Sequence, residues 1–173
     1  MSDLLDYSLM VAPNGARRTT RDHPRLPVTA MTLAETAGAC QAAGATSIHV
    51  HVRDGQERHS LDAGRYREAT AAIAETAPGL GIQITTESAG VFHAADQLAC
   101  LTDLQPKAAS IAIREMATDP TVATAVYAFA EEAEIEVQHI TYGPSCLQQM
   151  QAWREAGVIR PSQNRVLFVL GQY

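Results

Sequence analysis

A chain of 173 residues with 46% hydrophobic and 18% charged residues is long and apolar enough to bury one substantial core. Its formal net charge of −6, with no lysine- or arginine-rich run, argues against nucleic-acid binding. No apolar stretch reaches membrane-spanning length and no charged-then-apolar leader opens the chain, so a cytoplasmic protein without membrane contact is expected.

The first strand is predicted over Tyr7–Ala12, followed by a long loop holding Arg17 and Arg18. A helix over Thr32–Ala43 comes next, with Thr32 and Glu35 spaced as a capping box. The second strand, Thr46–Val52, contains the most informative residues of the chain. Side chains along a strand alternate between faces, so Ser47, His49, His51 and Arg53 share one face and Ile48, Val50 and Val52 the other. Two imidazoles one strand repeat apart suit a single divalent metal. The competing structural account is a pair of hydrogen-bonded interior histidines.

Asp62 caps a helix over Asp62–Thr76, and a strand follows over Gly81–Thr86. Then come a helix (Ala94–Thr102), a strand (Ala108–Ile113), a helix behind Asp119 (Pro120–Ala133) and a strand (Ile135–Thr141). A helix over Pro144–Ala156 and a strand over Val166–Gly171 complete the pattern. Gly44, Gly79 and Gly157 sit just past helix ends, where a left-handed residue is favoured. Cys40, Cys100 and Cys146 fall on helices, widely spaced, and read as reduced thiols rather than a disulfide framework or zinc knuckle.

Repeated β-α units imply a parallel sheet with right-handed crossovers. No glycine-rich phosphate loop follows any strand, which disfavours a doubly wound nucleotide-binding sheet. Gln83, Thr85 and Glu87 oppose Ile82 and Ile84; Ser110, Ala112 and Arg114 oppose Ile111 and Ile113. Polar groups thus gather toward the C-terminal ends of several strands, as in barrel enzymes. The expected fold is α/β, of the (β/α)8 TIM-barrel type. About six of the eight β/α units are present, in a single domain over residues 1–173 that is C-terminally incomplete.

Among the remaining polar residues, His139 has apolar company on its strand face and is expected to pack. Gln138 and Tyr142 are weak candidates for substrate contact. His23 and His59 lie in polar segments and are expected to be exposed, Trp153 to pack in its helix, and Arg114 and Glu115 to pair at the barrel mouth.

The ordered motifs Ala12-Pro13-Asn14-Gly15-Ala16-Arg17-Arg18-Thr19, Leu26-Pro27-Val28-Thr29, Ile48-His49-Val50-His51-Val52-Arg53-Asp54 and Gln83-Ile84-Thr85-Thr86-Glu87 resemble the β-keto acid cleavage enzymes. Ile113-Arg114-Glu115-Met116, Gln138-His139-Ile140 and Leu167-Phe168-Val169-Leu170-Gly171 extend the resemblance along the whole chain. That family includes 3-keto-5-aminohexanoate cleavage enzyme. The resemblance implies an oligomeric barrel, expected here as a homo-oligomer. It also implies a divalent metal, typically zinc, as a Lewis acid on the keto oxygen, and conversion of a β-keto acid plus acetyl-CoA into acetoacetate plus a new acyl-CoA. It assigns His49 and His51 as metal ligands, and Thr85 and Ser110 as hydroxyl contacts to substrate. Asn14, Arg17, Thr86 and Glu87 join them as expected substrate contacts.

Arg17 stands where the aminohexanoate-cleaving member has a glutamate, which implies a neutral or anionic keto acid in place of an ammonium-bearing one. Glu87 replaces a glycine of that member and is a candidate substitute metal ligand. The family's third metal ligand and its general base lie on an eighth strand that this sequence lacks, so no catalytic base is assigned and impaired catalysis is expected. Two alternatives remain: a truncated homologue serving as a ligand-binding or partner module, and a metal-dependent barrel hydrolase.

Overall fold

The structure, a computed structural model, describes residues 8–171. These form two compact units, one made of the chain up to Ser60 with Arg67–Ile82, the other of Leu61–Tyr66 with Gln83 onward.

In the first unit β1 (Met10–Val11) pairs parallel with β2 (Ser47–Val50), Met10 opposite Ser47 and Val11 opposite Ile48. The N-terminal part of the strand expected over Tyr7–Ala12 includes Tyr7, which lies outside the described residues. Helix α1 (Ala30–Ala42) packs on β2 and buries Leu33, Ala34 and Ala37, while Ile48 and Val50 are buried from the strand. It starts earlier than expected because Thr29 is the cap. Thr29 Oγ1 accepts from the Thr32 amide at 3.2 Å, and Thr32 Oγ1 accepts from the Thr29 amide at 3.1 Å. Threonine thus takes the reciprocal role expected of Glu35. β2 ends before His51, and Val52–Arg53 (β3) pairs antiparallel with His59–Ser60 (β4). A hairpin therefore follows where one longer strand had been expected.

Helix α2 (Ala63–Thr76) begins at Asp62, whose Oδ1 accepts from the Arg65 amide at 2.8 Å. Strand β5 (Gly81–Thr85) starts in the first unit, the Gly81 amide donating to Thr46 O at 3.0 Å. A side chain at residue 81 would meet Ser47 Cβ at 3.2 Å, so glycine permits this approach.

The second unit continues with α3 (Ala94–Leu104), β6 (Ala108–Ala112), α4 (Ile113–Met116), α5 (Pro120–Glu132), β7 (Glu136–Thr141), α6 (Pro144–Glu155) and β8 (Arg165–Phe168). Through β5, which both units share, the parallel strands run in the order β1-β2-β5-β6-β7-β8. This is an α/β fold of TIM-barrel type, with six parallel strands among the described residues. Curvature within the second unit is visible in one contact. Gln83 Nε2 on β5 donates to Gln138 Oε1 on β7 at 3.2 Å, across the intervening β6. In a flat sheet these strands would stand roughly 10 Å apart, so the side chains meet only because the sheet curls. Thr85 pairs with Ser110 and Ser110 with Gln138, so the contact is offset by two residues over two strands. Barrels of this type shift by about one residue per strand.

Asp119 caps α5 through the Val122 amide at 3.1 Å, with Pro120 in its first turn. Ala123, Val126, Tyr127 and Ala130 form the buried stripe of this helix. Burial of each larger member contributes about 1.5–3 kcal/mol. The strand expected to run to Ile113 stops at Ala112. Arg114 and Glu115 lie on α4, where they turn to separate partners instead of pairing. Edge strand β8 exposes Leu167 and Phe168, at 41% and 60%. Cys40, Cys100 and Cys146 are free thiols on α1, α3 and α6. No described helix is long and apolar enough to cross a membrane.

His139 is a packing residue with a defined tautomer. Its Nε2 lies 2.9 Å from Gln163 O, a pure acceptor, and so carries the proton; Nδ1 receives the Tyr127 hydroxyl at 3.4 Å. Burial, followed by the charge of Arg154, lowers its pKa against the raising effect of the Gln163 bond. The unfolded chain protonates this histidine near 6.5 and the folded chain only at lower pH. Its contribution is therefore complete above that value and is lost as pH falls toward the folded pKa, by at most about 1.4 kcal/mol per pH unit. Urea titrations from pH 7 to 5 are expected to show a slope to which His139 contributes, and His139→Gln to reduce it without abolishing it, because the pKa of the buried His51 is lowered in the same direction. An unchanged slope in the variant would place the proton uptake elsewhere.

Candidate active site

His49 is the third residue of β2, and His51 is the first residue beyond the strand. Their Nε2 atoms stand 3.1 Å apart, with ring planes at 72°. Either one nitrogen donates to the other, or both direct lone pairs at a shared cation. Two imidazole nitrogens bound to one tetrahedral zinc at 2.0–2.1 Å are about 3.3 Å apart, so the pair fits half of a metal site. His51 is 3% exposed. Burial above all, then the charges of His49, His59 and Arg53, hold its pKa well below 6.5. It is thus neutral, the form a metal requires. Among the described residues no group of three or more His, Cys, Asp or Glu is arranged to hold a metal ion.

His59, expected to be exposed, is buried, and its ring centroid lies 5.3 Å from that of His51. The hairpin puts it there. Asp54 Oδ1 accepts from the amides of Gln56 (2.8 Å) and Arg58 (2.9 Å), and Asp54 Oδ2 takes Arg58 Nε at 2.7 Å, folding β4 back on β3. Asp54-Gly55 between two short apolar-alternating runs was the available signal.

The loop after β1 is clasped from the same strand region. Asn14 Nδ2 donates to His51 O at 2.7 Å and to Pro27 O at 3.0 Å, and the buried Arg53 guanidinium donates to the carbonyls of Asn14, Gly15 and Ala16. Thr20 donates from its amide and its hydroxyl to Glu57, 2.7 Å each. Asn14 therefore spends its amide on holding the loop. Arg17 and Arg18 stand exposed on that loop.

In the second unit Thr85, Thr86 and Ser110 come together at the ends of β5 and β6. Ser110 Oγ donates to Thr85 Oγ1 at 3.2 Å, and the Glu87 amide donates to the same oxygen at 2.9 Å. Thr85 Oγ1 thus accepts twice, and its own proton is left to donate. Thr86 Oγ1 instead donates to Ser110 O at 3.0 Å and ties the strands. Glu87 follows, half-buried. Tyr66 supports the turn by donating to Thr85 O at 2.9 Å. Arg114 stacks on Tyr142, 3.4 Å from the ring centre. Burial, then Asp103 and Asp62, push the Cys100 thiol up to about 12, which disfavours the thiolate.

A family model described as beta-keto acid cleavage enzyme matches residues 7–173. The chain belongs to this family. It is 29% identical to the 3-oxoadipate:acetyl-CoA acetyltransferase of Cupriavidus necator over 94% of its own length and 59% of that protein's. It is 33% identical to the 3-keto-5-aminohexanoate cleavage enzyme of Fusobacterium nucleatum, over 56% of this chain and 35% of the relative. The chain thus spans about three-fifths of the length of the first of these relatives. Among solved structures it is similar to a D-glucarate dehydratase from Agrobacterium tumefaciens complexed with magnesium, with a TM-score of 0.55 and 14% identity. That match covers 87% of this chain and 38% of the dehydratase, and speaks to the fold alone.

Proposed function

We propose that this chain supplies the metal-ligating histidines and the substrate-binding hydroxyls of a metal-dependent β-keto acid cleavage enzyme. In that reaction a β-keto acid and acetyl-CoA give acetoacetate and a new acyl-CoA. The observation that carries this is the convergence of His49 and His51 Nε2 to 3.1 Å beside a parallel strand, in a chain of this family. A divalent ion, with zinc the first choice for two imidazoles, supplies Lewis-acid polarisation of a keto oxygen. The remaining steps fall to the protein's own groups. His51 is kept neutral by burial and by the neighbouring cationic groups. Thr85 has a hydroxyl proton to offer a carboxylate, because Ser110 and the Glu87 amide occupy its acceptor side. The general base is assigned to no residue of this chain.

The proposed substrate class is a dicarboxylic β-keto acid. Arg17 is an exposed cation on a loop clasped by Asn14 and Arg53, and a distal carboxylate is the group such a cation would attract. The relative from Cupriavidus necator is named for 3-oxoadipate, an acid of this class. The hydrolase alternative draws no support from His139, which is engaged by Tyr127 and Gln163.

Calorimetry on the zinc-loaded chain tests this. 3-Oxoadipate is expected to bind about tenfold tighter than its monocarboxylate homologue 3-oxohexanoate, and Arg17→Glu to erase or invert the preference. Equal affinities in the parent chain would rule out the dicarboxylate assignment.

A further inference from the structure

We infer that Glu115 is a positioning residue whose carboxylate fixes the turn carrying Thr85, Thr86 and Glu87. This rests on the substrate-binding role proposed above for that turn. Glu115 Oε2 accepts from the Ser88 amide at 2.9 Å and from Gln97 Nε2 at 3.1 Å, while Oε1 accepts from Ser88 Oγ at 2.9 Å. One carboxylate on α4 therefore holds the loop after β5 and the first half of α3.

Ser88 is the hinge of that loop. Ala89 (φ 49°) and Gly90 (φ 76°) are both left-handed, and Ser88 O accepts from the amides of Val91 (2.8 Å) and Phe92 (3.0 Å). Upstream, the Thr86 amide donates to Ser110 O at 3.2 Å and the Glu87 amide to Thr85 Oγ1. From Thr86 to Ser88 the turn is thus templated by the end of β6 and by the single turn of α4 that follows it. Without Glu115, the Ser88 amide would lose its acceptor, and the Ser88 side would be held only from within its own loop, by the Gly90, Val91 and Phe92 amides, among the contacts named.

These contacts favour a carboxylate. All three partners are donors, and an ionised carboxylate is acceptor-only. An amide in its place loses the charge that strengthens all three bonds, and keeps the Ser88 Oγ contact only if that hydroxyl turns from donor to acceptor. Gln97 is 1% exposed, and the bond of its Nε2 to Glu115 is the one hydrogen bond its side-chain amide makes among the described residues, its Oε1 being buried without a partner. Arg114, the nearest cation in sequence, is stacked on Tyr142 and leaves Glu115 to these neutral donors.

The test uses the intact chain with Glu115→Gln, which preserves shape, and Ser88→Ala as a milder cut at the same bond. Two quantities are read at a temperature where every variant is folded by circular dichroism: amide exchange over residues 87–92, and the calorimetric affinity of the zinc-loaded chain for 3-oxoadipate. Exchange in this loop is expected to accelerate about tenfold, and affinity to fall about tenfold in Glu115→Gln. The double variant is expected to lose no more than Glu115→Gln alone, since both cuts fall on one link. Faster exchange with unchanged affinity would make Glu115 a structural brace only and overturn its positioning role. Unchanged exchange would remove the latch itself. A parent chain that binds no acid overturns the substrate assignment and this role with it. A parent that binds, with affinity untouched by Glu115→Gln, overturns the role of Glu115 alone.

Discussion

Alanine at His49 is expected to abolish stoichiometric zinc binding while leaving the fold intact, because this side chain is only half-buried at the end of β2. With one of two converging nitrogens gone, affinity should fall by about a hundredfold or more. Alanine at His51 should do the same and also destabilise the chain. His51 is 3% exposed and packs against both His49 and His59, so truncation leaves a cavity costing about 2–4 kcal/mol. Metal analysis of the purified variants, with thermal unfolding followed in parallel, separates the two effects. Zinc retained at one equivalent in both variants would mean that the pair is a hydrogen-bonded interior contact and the metal, if bound, lies elsewhere.

Arg53 is expected to give a loss of stability comparable with that of His51. Arg53 is 4% exposed, and its guanidinium donates to the carbonyls of Asn14, Gly15 and Ala16. Arg53→Ala removes the donors and strands buried acceptors, at a cost of about 3 kcal/mol. For a chain of this size that corresponds to a melting point lower by roughly 6–12 °C. Arg53→Lys should recover little, since an ammonium lacks the planar fork that spans three successive carbonyls. Proteolysis should then cut first between residues 14 and 21, where Arg17 and Arg18 are exposed. A lysine variant as stable as the parent would show that charge alone, without the fork, holds the loop.

Much of the architecture was legible in the sequence because the signals are local. Alternating polarity through Ser47–Arg53 put both histidines on one face, and their nitrogens do meet. Asp62 and Asp119 cap their helices as read, and Gly44, Gly79 and Gly157 take φ values of 100°, 87° and 72° past helix ends. The start of α1 was misplaced because Thr29 and Glu35 offer competing partners to Thr32, and backbone geometry chose the threonine pair. The break at His51 was also missed. Val52 and Arg53 suit a continuing strand, and only their pairing with His59 and Ser60 reveals the hairpin.

Short-range periodicity, capping chemistry and ordered motifs were enough to determine the β-α repeat, the barrel type, the family and the paired histidines. Those features depend on residues within a few positions of one another, or on blocks of sequence shared with relatives. Only the tertiary structure decided that His59 backs His51, that Asn14 and Arg53 close the loop bearing Arg17, and that Glu115 holds the turn after β5. In most of these the partners are 18 to 39 residues apart in the chain. A hydrogen bond over that distance leaves no periodic trace, because it is set by where folding carries two segments and not by what either segment prefers locally.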